Sequence, residues 1–161
     1  MTTSTLNHTA WQQAAADYRA LLTLTGAIAA DPARLDETVR AALGESGSLD
    51  DLLLQAHALW VRTFDARIDP LLEAGAYGDE TAFARVWSDT VRVLPGVAAL
   101  LERHRDHPAV VRAHAQHVRR IQRLLDVTLP DTWATASRRA DRPRSCARRA
   151  RRLRLPRVRL A

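Results

Sequence analysis

The chain has 161 residues, 47% of them hydrophobic and 26% charged, which is enough for one buried core and too little for two. Its single cysteine, Cys146, excludes an internal disulfide, and the lack of a long apolar run predicts a cytoplasmic protein without a signal peptide or membrane-spanning helix. The net charge of +6 combines unlike segments, because residues 1–107 carry −6 and residues 108–161 carry +12.

The first 44 residues predict two helices that meet at an Asp-Pro pair. The first runs from about Thr9 to Ala30, and its expected buried stripe comprises Trp11, Ala15, Tyr18, Leu22, Thr25 and Ile28. Asp31-Pro32 favours a new helix start, since the carboxylate accepts free N–H groups and proline needs no donor in a first turn. A short helix is therefore expected over 32–43, closed by Gly44.

A long third helix is predicted to begin at Ser48, whose hydroxyl can cap the first turn. Its buried stripe is expected to comprise Leu49, Leu52, Leu53, Ala56, Trp60, Phe64, Ile68 and Leu71. Pro70 lacks an N–H and clashes with the preceding turn, so we expect a kink, or a break and restart, near Asp69.

Three further helices are predicted between glycine and proline breaks. Gly75 and Gly78 mark a turn, after which Asp79 caps a helix that extends to Val93. Pro95 and Pro108 then separate a short helix from a last one that reaches about residue 128. The last helix is expected to bury Val111, His114, Val118, Ile121 and Leu125 and to expose Arg112, Gln116, Arg119, Arg120 and Arg123.

Beyond residue 129 the apolar periodicity ends. Residues 130–161 contain 11 arginines and three prolines, a composition typical of disordered segments. The sequence therefore predicts an all-α protein: a kinked helical bundle of five or six helices over 1–129, followed by an Arg-rich, disordered C-terminal tail over 130–161.

The arginines of the last helix and the tail are the main functional signal, because such a surface neutralises phosphates and releases counterions. The expected polyanion-binding residues are Arg112, Arg119, Arg120, Arg123, Arg138, Arg139, Arg148, Arg149, Arg151 and Arg152. A solvated terminus without any partner would have the same composition. No helix-turn-helix or zinc-finger pattern accompanies the arginines, so base recognition is not predicted.

Histidines on the predicted apolar stripes suggest a metal site. His57, His104 and His114 are the candidate ligands, since neutral imidazoles from facing helices can converge on one ion. No Glu-x-x-His pair, His-Glu-x-x-His motif or cysteine cluster accompanies them, so we predict ordinary boundary histidines and no metal, with the metal site as the alternative.

Asp65, Asp69 and Glu73 stand four residues apart and predict an acidic ridge on the third helix. We expect a cationic partner there: Arg62 or Arg67, a divalent ion, or the Arg-rich tail. A solvated face with local ion pairs is the alternative.

Large aromatic residues are expected to form the core or to line a ligand cavity, namely Tyr18, Trp60, Phe64, Phe83 and Trp87. Cys146 lies among arginines that could activate its thiol, but no base or oxyanion donor is identifiable, so it is not predicted to be a nucleophile.

Together these features predict a non-enzymatic helical interaction protein whose body binds another protein or a second copy of itself. Its Arg-rich C-terminal segment is expected to bind acidic partners, nucleic acid first, without base specificity. The alternative is a helical protein that binds a small molecule or metal through an aromatic and histidine-lined interior. An enzyme is the third alternative, but no catalytic or cofactor-binding motif occurs, and we expect no cofactor.

Overall fold

The computed structural model describes residues 3–44, 47–125 and Trp133, with side chains from Thr9 onward. These residues form six α-helices and no β-strand, which confirms the predicted all-α bundle. The helices are α1 (Thr3–Ala30), α2 (Leu35–Leu43), α3 (Leu49–Glu73), α4 (Glu80–Val93), α5 (Pro95–Arg103) and α6 (Pro108–Leu125), with a short 3-10 turn (Pro32–Arg34) before α2. None of them is long and apolar enough to cross a membrane. Apart from Trp133, the tail predicted to be disordered lies outside the described part.

Short polar side chains start the helices where the sequence predicts. The side chains of Asp31, Ser48 and Asp79 each accept a hydrogen bond from a backbone N–H two or three residues further on, at 3.0–3.2 Å. They satisfy donors that a helix start otherwise leaves free. The predicted turn at Gly75 and Gly78 is also confirmed, since both adopt positive φ, at 73° and 74°.

The helix α3 continues through Pro70 to Glu73, so the break and restart predicted near Asp69 do not occur. Proline removes only its own donor, and this one lies within the last turn, where Ala74 N–H still donates to the Pro70 carbonyl at 3.1 Å. Burial of Ile68 just before it holds this end of the helix against the core. Pro95 and Pro108, in contrast, begin α5 and α6 as predicted.

Aromatic rings from two neighbouring helices form the centre of the core. Trp60, Phe64, Phe83 and Trp87 are almost completely buried, as predicted. The rings of Trp60 and Trp87 lie 5.3 Å apart, and those of Phe64 and Trp87 lie 5.5 Å apart, both in edge-to-face arrangements. Such contacts stabilise the core beyond the area they bury, and they fill the space between α3 and α4.

The predicted buried stripe of α1 is wrong for its first half. Trp11 is 78% exposed, and Tyr18 and Leu22 are each more than 40% exposed. The buried residues of α1 are Leu21, Leu24, Thr25 and Ile28. They lie towards the end of α1, where α5 packs against it and where α2 follows. Tyr18 is therefore not a core residue; its ring instead lies 5.9 Å below the guanidinium of Arg62.

Trp133 lies in the core, although the sequence places it in the tail. It is 3% exposed, and its ring lies 4.8 Å from that of His114 and 6.1 Å from that of Trp60. Its ring also lies 6.3 Å from that of Trp87, so it packs with α3, α4 and α6, and at least this residue beyond 129 belongs to the folded body. The boundary between body and tail stays a prediction, since the residues around Trp133 are not described.

Close backbone packing joins α1 to α5. A Cβ atom built on Gly96 would overlap the carbonyl oxygen of Thr25, so only glycine allows this approach. The helix α3 packs against α4, α5 and α6. This central position of α3 creates the interface with α6 in which the polar residues described below are found.

Candidate functional site

A groove lies between α3 and α6 and has a volume of about 340 Å³. We call it the α3–α6 groove. It is lined by His57, Ala58 and Val61 of α3 and by Ala113, Gln116, His117, Arg120 and Arg123 of α6. It therefore combines two imidazoles, two guanidiniums and one amide on a partly apolar wall.

The rings of three histidines meet at the base of this interface. The ring of His57 lies 6.0 Å from that of His114 and 6.3 Å from that of His117, both edge-to-face. His57 and His117 are each only 5% exposed. Burial, followed by the neighbouring histidines, lowers the pKa of His57 to about 4. Burial and the charge of Arg120 lower the pKa of His117 to about 4, so both rings are neutral at pH 7.

Arg120 connects this histidine cluster to the acidic ridge. Its Nη2 atom forms an ion pair with Asp65 Oδ2 across the two helices and lies 3.4 Å from Nδ1 of His117. A guanidinium can only donate, so Nδ1 of the neutral His117 ring is the acceptor and its proton resides on Nε2. Asp65, Arg120 and His117 thus form one polar chain from the surface to the core.

Of the partners expected for the acidic ridge, Arg62 and Arg67 make other contacts, and the Arg-rich tail lies outside the described residues. Arg67 donates from Nη1 to the carbonyl of Thr63 at 3.1 Å, and Arg62 lies over Tyr18. The partner of Asp65 is Arg120, an arginine of the last helix that is 55 residues away in sequence. Helix spacing shows only neighbours on the same helix, so this contact was not predictable.

The other arginines of α6 have exposed side chains. Arg112, Arg119 and Arg123 are exposed, and none forms an ion pair within the described residues. Their spacing of seven and four residues places them on one face of the helix, and no acidic residue occurs between Pro108 and Leu125. We call this set the α6 basic stripe.

The candidate metal ligands do not form one set. His57 contacts His114, whereas the ring of His104 lies 6.5 Å from that of His107. His107 in turn lies 3.5 Å from Asp50. Across the described ranges, no group of three or more His, Cys, Asp or Glu side chains has the arrangement of a metal site.

Other predicted residues lie outside the described part of the chain. They are Cys146 and the tail arginines Arg138, Arg139, Arg148, Arg149, Arg151 and Arg152. The polyanion-binding role of these arginines therefore stays a prediction, as does the assignment of Cys146.

The sequence did not predict Gln116 or His117 as residues of a site. Gln116 reads as an ordinary surface residue of the last helix, and the expected buried face omits His117. The usable signal is the three-residue spacing of His114 and His117 on a helix whose opposite face is basic. No protein-family model, no curated protein and no solved structure matches this chain significantly, so the chemistry of the site rests on its own residues.

Proposed function

We propose that this protein is a non-enzymatic cytoplasmic binding protein whose basic C-terminal part engages acidic partners, nucleic acid first. The observation that carries the proposal is the α6 basic stripe. Arg112, Arg119 and Arg123 share one exposed face, and no carboxylate within the described residues neutralises them. We include the arginines after residue 137 in the same proposed binding surface.

The stripe has the dimensions of a phosphate-contacting surface. Arg112 and Arg123 are separated by eleven residues, which is about 16 Å along a helix at 1.5 Å per residue. Phosphates on one strand of a duplex are about 3.4 Å apart along its axis, so the stripe spans several of them. Contacts of this kind position a protein on the backbone and carry no base preference.

Arg120 contributes less to this surface than its three neighbours. Its charge is compensated by Asp65, so a polyanion would have to compete with an ion pair already formed. The proposal therefore assigns phosphate contacts on α6 to Arg112, Arg119 and Arg123, rather than to all four arginines predicted from the sequence.

The test compares three variants that each remove three positive charges from the full-length chain. The first is R112Q/R119Q/R123Q on α6, and the second is R149Q/R151Q/R152Q in the C-terminal segment. The control is R19Q/R40Q/R85Q, which neutralises exposed arginines of α1, α2 and α4. Binding of a labelled duplex is measured between 50 and 200 mM salt by fluorescence anisotropy.

We expect the α6 variant to reduce the slope of log K against log salt by about 2 to 3, because each phosphate contact contributes about 0.9. The C-terminal variant should reduce it by a comparable amount, and the control should leave it nearly unchanged. Salt-independent binding, no binding, or an equal effect of the control variant would contradict the proposal. A duplex of different sequence should bind with similar affinity.

A further inference from the structure

We propose that the α3–α6 groove binds a single phosphate group, held by Arg120 and Arg123 at its rim and lying against the rings of His57 and His117 at its base. This site shares Arg123 with the α6 basic stripe and differs from it in depth, because it includes side chains that are almost fully buried. It does not require nucleic acid binding, since a free phosphate or a small phosphate ester would present the same group.

Buried polar atoms at the base of the α3–α6 groove lack a partner among the described residues. The Nε2 atoms of His57 and His117 are inaccessible to solvent and form no hydrogen bond within the described part of the chain. Buried polar atoms in folded proteins almost always have a partner. Because Arg120 fixes the proton of His117 on Nε2, this atom is a donor without an acceptor, and an anion in the groove reaches it through a small rotation of the ring.

Side chains with hydrogen-bond donors converge on the groove from both helices. His57 belongs to α3, while Gln116, His117, Arg120 and Arg123 belong to α6, and all five line the same space. A carboxylate offers two oxygens, whereas a phosphate offers more acceptors and can satisfy donors arriving from several directions. The number and spread of the donors thus favour phosphate.

The charges that line the groove are not fully compensated. Asp65 compensates Arg120, while Arg123 donates from Nε to the carbonyl of Arg119 and has no carboxylate partner among the described residues. The groove therefore has a net charge of about +1, which attracts an anion. The same two guanidiniums would repel a metal ion, so the histidines are better placed to bind an anion than a cation.

The histidines also provide a direct signal of binding. His114 contacts His57, and Arg120 contacts His117, so both rings are surrounded by groups that oppose a further positive charge. This, together with burial, explains why the pKa of each lies near 4. An anion bound against the rings would favour their protonated forms and raise both pKa values.

The experiment follows the ring signals of the histidines by NMR in the full-length protein. Inorganic phosphate is added at pH 7, and the ionic strength is kept constant with sodium chloride. We expect the His57 and His117 signals to shift in a saturable manner and their titration midpoints to move upward. A parallel titration with acetate distinguishes a phosphate site from a general oxyanion site.

Two matched variants test which side chains hold the anion. R123Q removes a groove arginine and should weaken phosphate binding about tenfold, the size expected for a charged hydrogen bond. R119Q removes an exposed arginine one turn earlier that does not line the groove, and it should leave phosphate binding unchanged. D65N should strengthen binding, because it frees the charge of Arg120.

The proposal is overturned if phosphate shifts neither histidine, if chloride alone gives the same shifts, or if R119Q weakens binding as much as R123Q. It is also wrong if acetate saturates the same signals at lower concentration than phosphate. Failure here is separable from failure of nucleic acid binding. R119Q should reduce the salt slope for a duplex while leaving the histidine shifts caused by phosphate intact.

Discussion

At the scale of single residues, burial decides the chemistry of the histidines. His57 and His117 are both 5% exposed, and their rings contact each other at 6.3 Å. The ring of Phe64 also lies 5.7 Å from that of His117. A charged imidazole loses its hydration in such a place, which is why the pKa of each falls from 6.5 to about 4. The neutral rings stabilise the fold at pH 7 through packing.

This burial makes stability depend on pH in a defined window. Between about pH 6.5 and pH 4, His57 and His117 are protonated in the unfolded chain and remain neutral in the native protein. The free energy of unfolding therefore decreases as the pH falls through this range. The stabilisation by the neutral histidines is fully present above about pH 6.5. We expect a loss of about 2 kcal/mol from each histidine by pH 4.5, measured by urea denaturation.

The variant H117Q should reduce this pH dependence, while H107Q, outside the buried cluster, serves as the control. A free energy of unfolding that stays constant from pH 7 to pH 4.5 would contradict the burial of neutral histidines. An equal effect of H117Q and H107Q on the pH dependence of the free energy of unfolding would also contradict it.

At the scale of helices, local chemistry was predictable and long-range pairing was not. The caps at Ser48 and Asp79 depend on residues three positions apart, so the sequence alone indicates them. The buried face of α1 depends on where other helices cover it, and periodicity gives no information about that. For this reason Trp11 was predicted to be buried and is exposed. The groove likewise requires the pairing of α3 with α6.

The crossing of α1 and α5 provides a sharp test of this packing. G96A adds a methyl group that overlaps the Thr25 carbonyl, so the helices must separate, and we expect a loss of about 2 kcal/mol or more in the free energy of unfolding. The control is G26A, because a Cβ on Gly26 meets no atom within 4 Å. That variant should stabilise α1 by up to about 1 kcal/mol.

Both variants are compared by urea denaturation at pH 7. Similar stability of G96A and the parent chain would show that α1 and α5 do not approach as closely as described. If G26A and G96A lower the free energy of unfolding equally, the loss does not come from the overlap with the Thr25 carbonyl, which only Gly96 approaches.

At the scale of the whole molecule, the net charge of +6 hides two segments of opposite charge. The segment 1–107 carries −6 and the segment 108–161 carries +12, and the contact between Arg120 and Asp65 joins the two. The composition of the last segment is dominated by its arginines and gives no indication that its one large aromatic residue is buried. A single tryptophan among many arginines and alanines has no periodic pattern, so Trp133 could be recognised as a core residue only from its contacts.

The burial of Trp133 predicts that the last segment contributes to stability as well as charge. W133A removes a ring packed against Trp60, Trp87 and His114, and we expect the free energy of unfolding to fall by about 3 to 5 kcal/mol. W11A removes a tryptophan that is 78% exposed and should change it by less than about 0.5 kcal/mol. Urea denaturation followed by circular dichroism measures both. Equal stability of W133A and the parent chain would place Trp133 outside the core and return the body to residues 1–129.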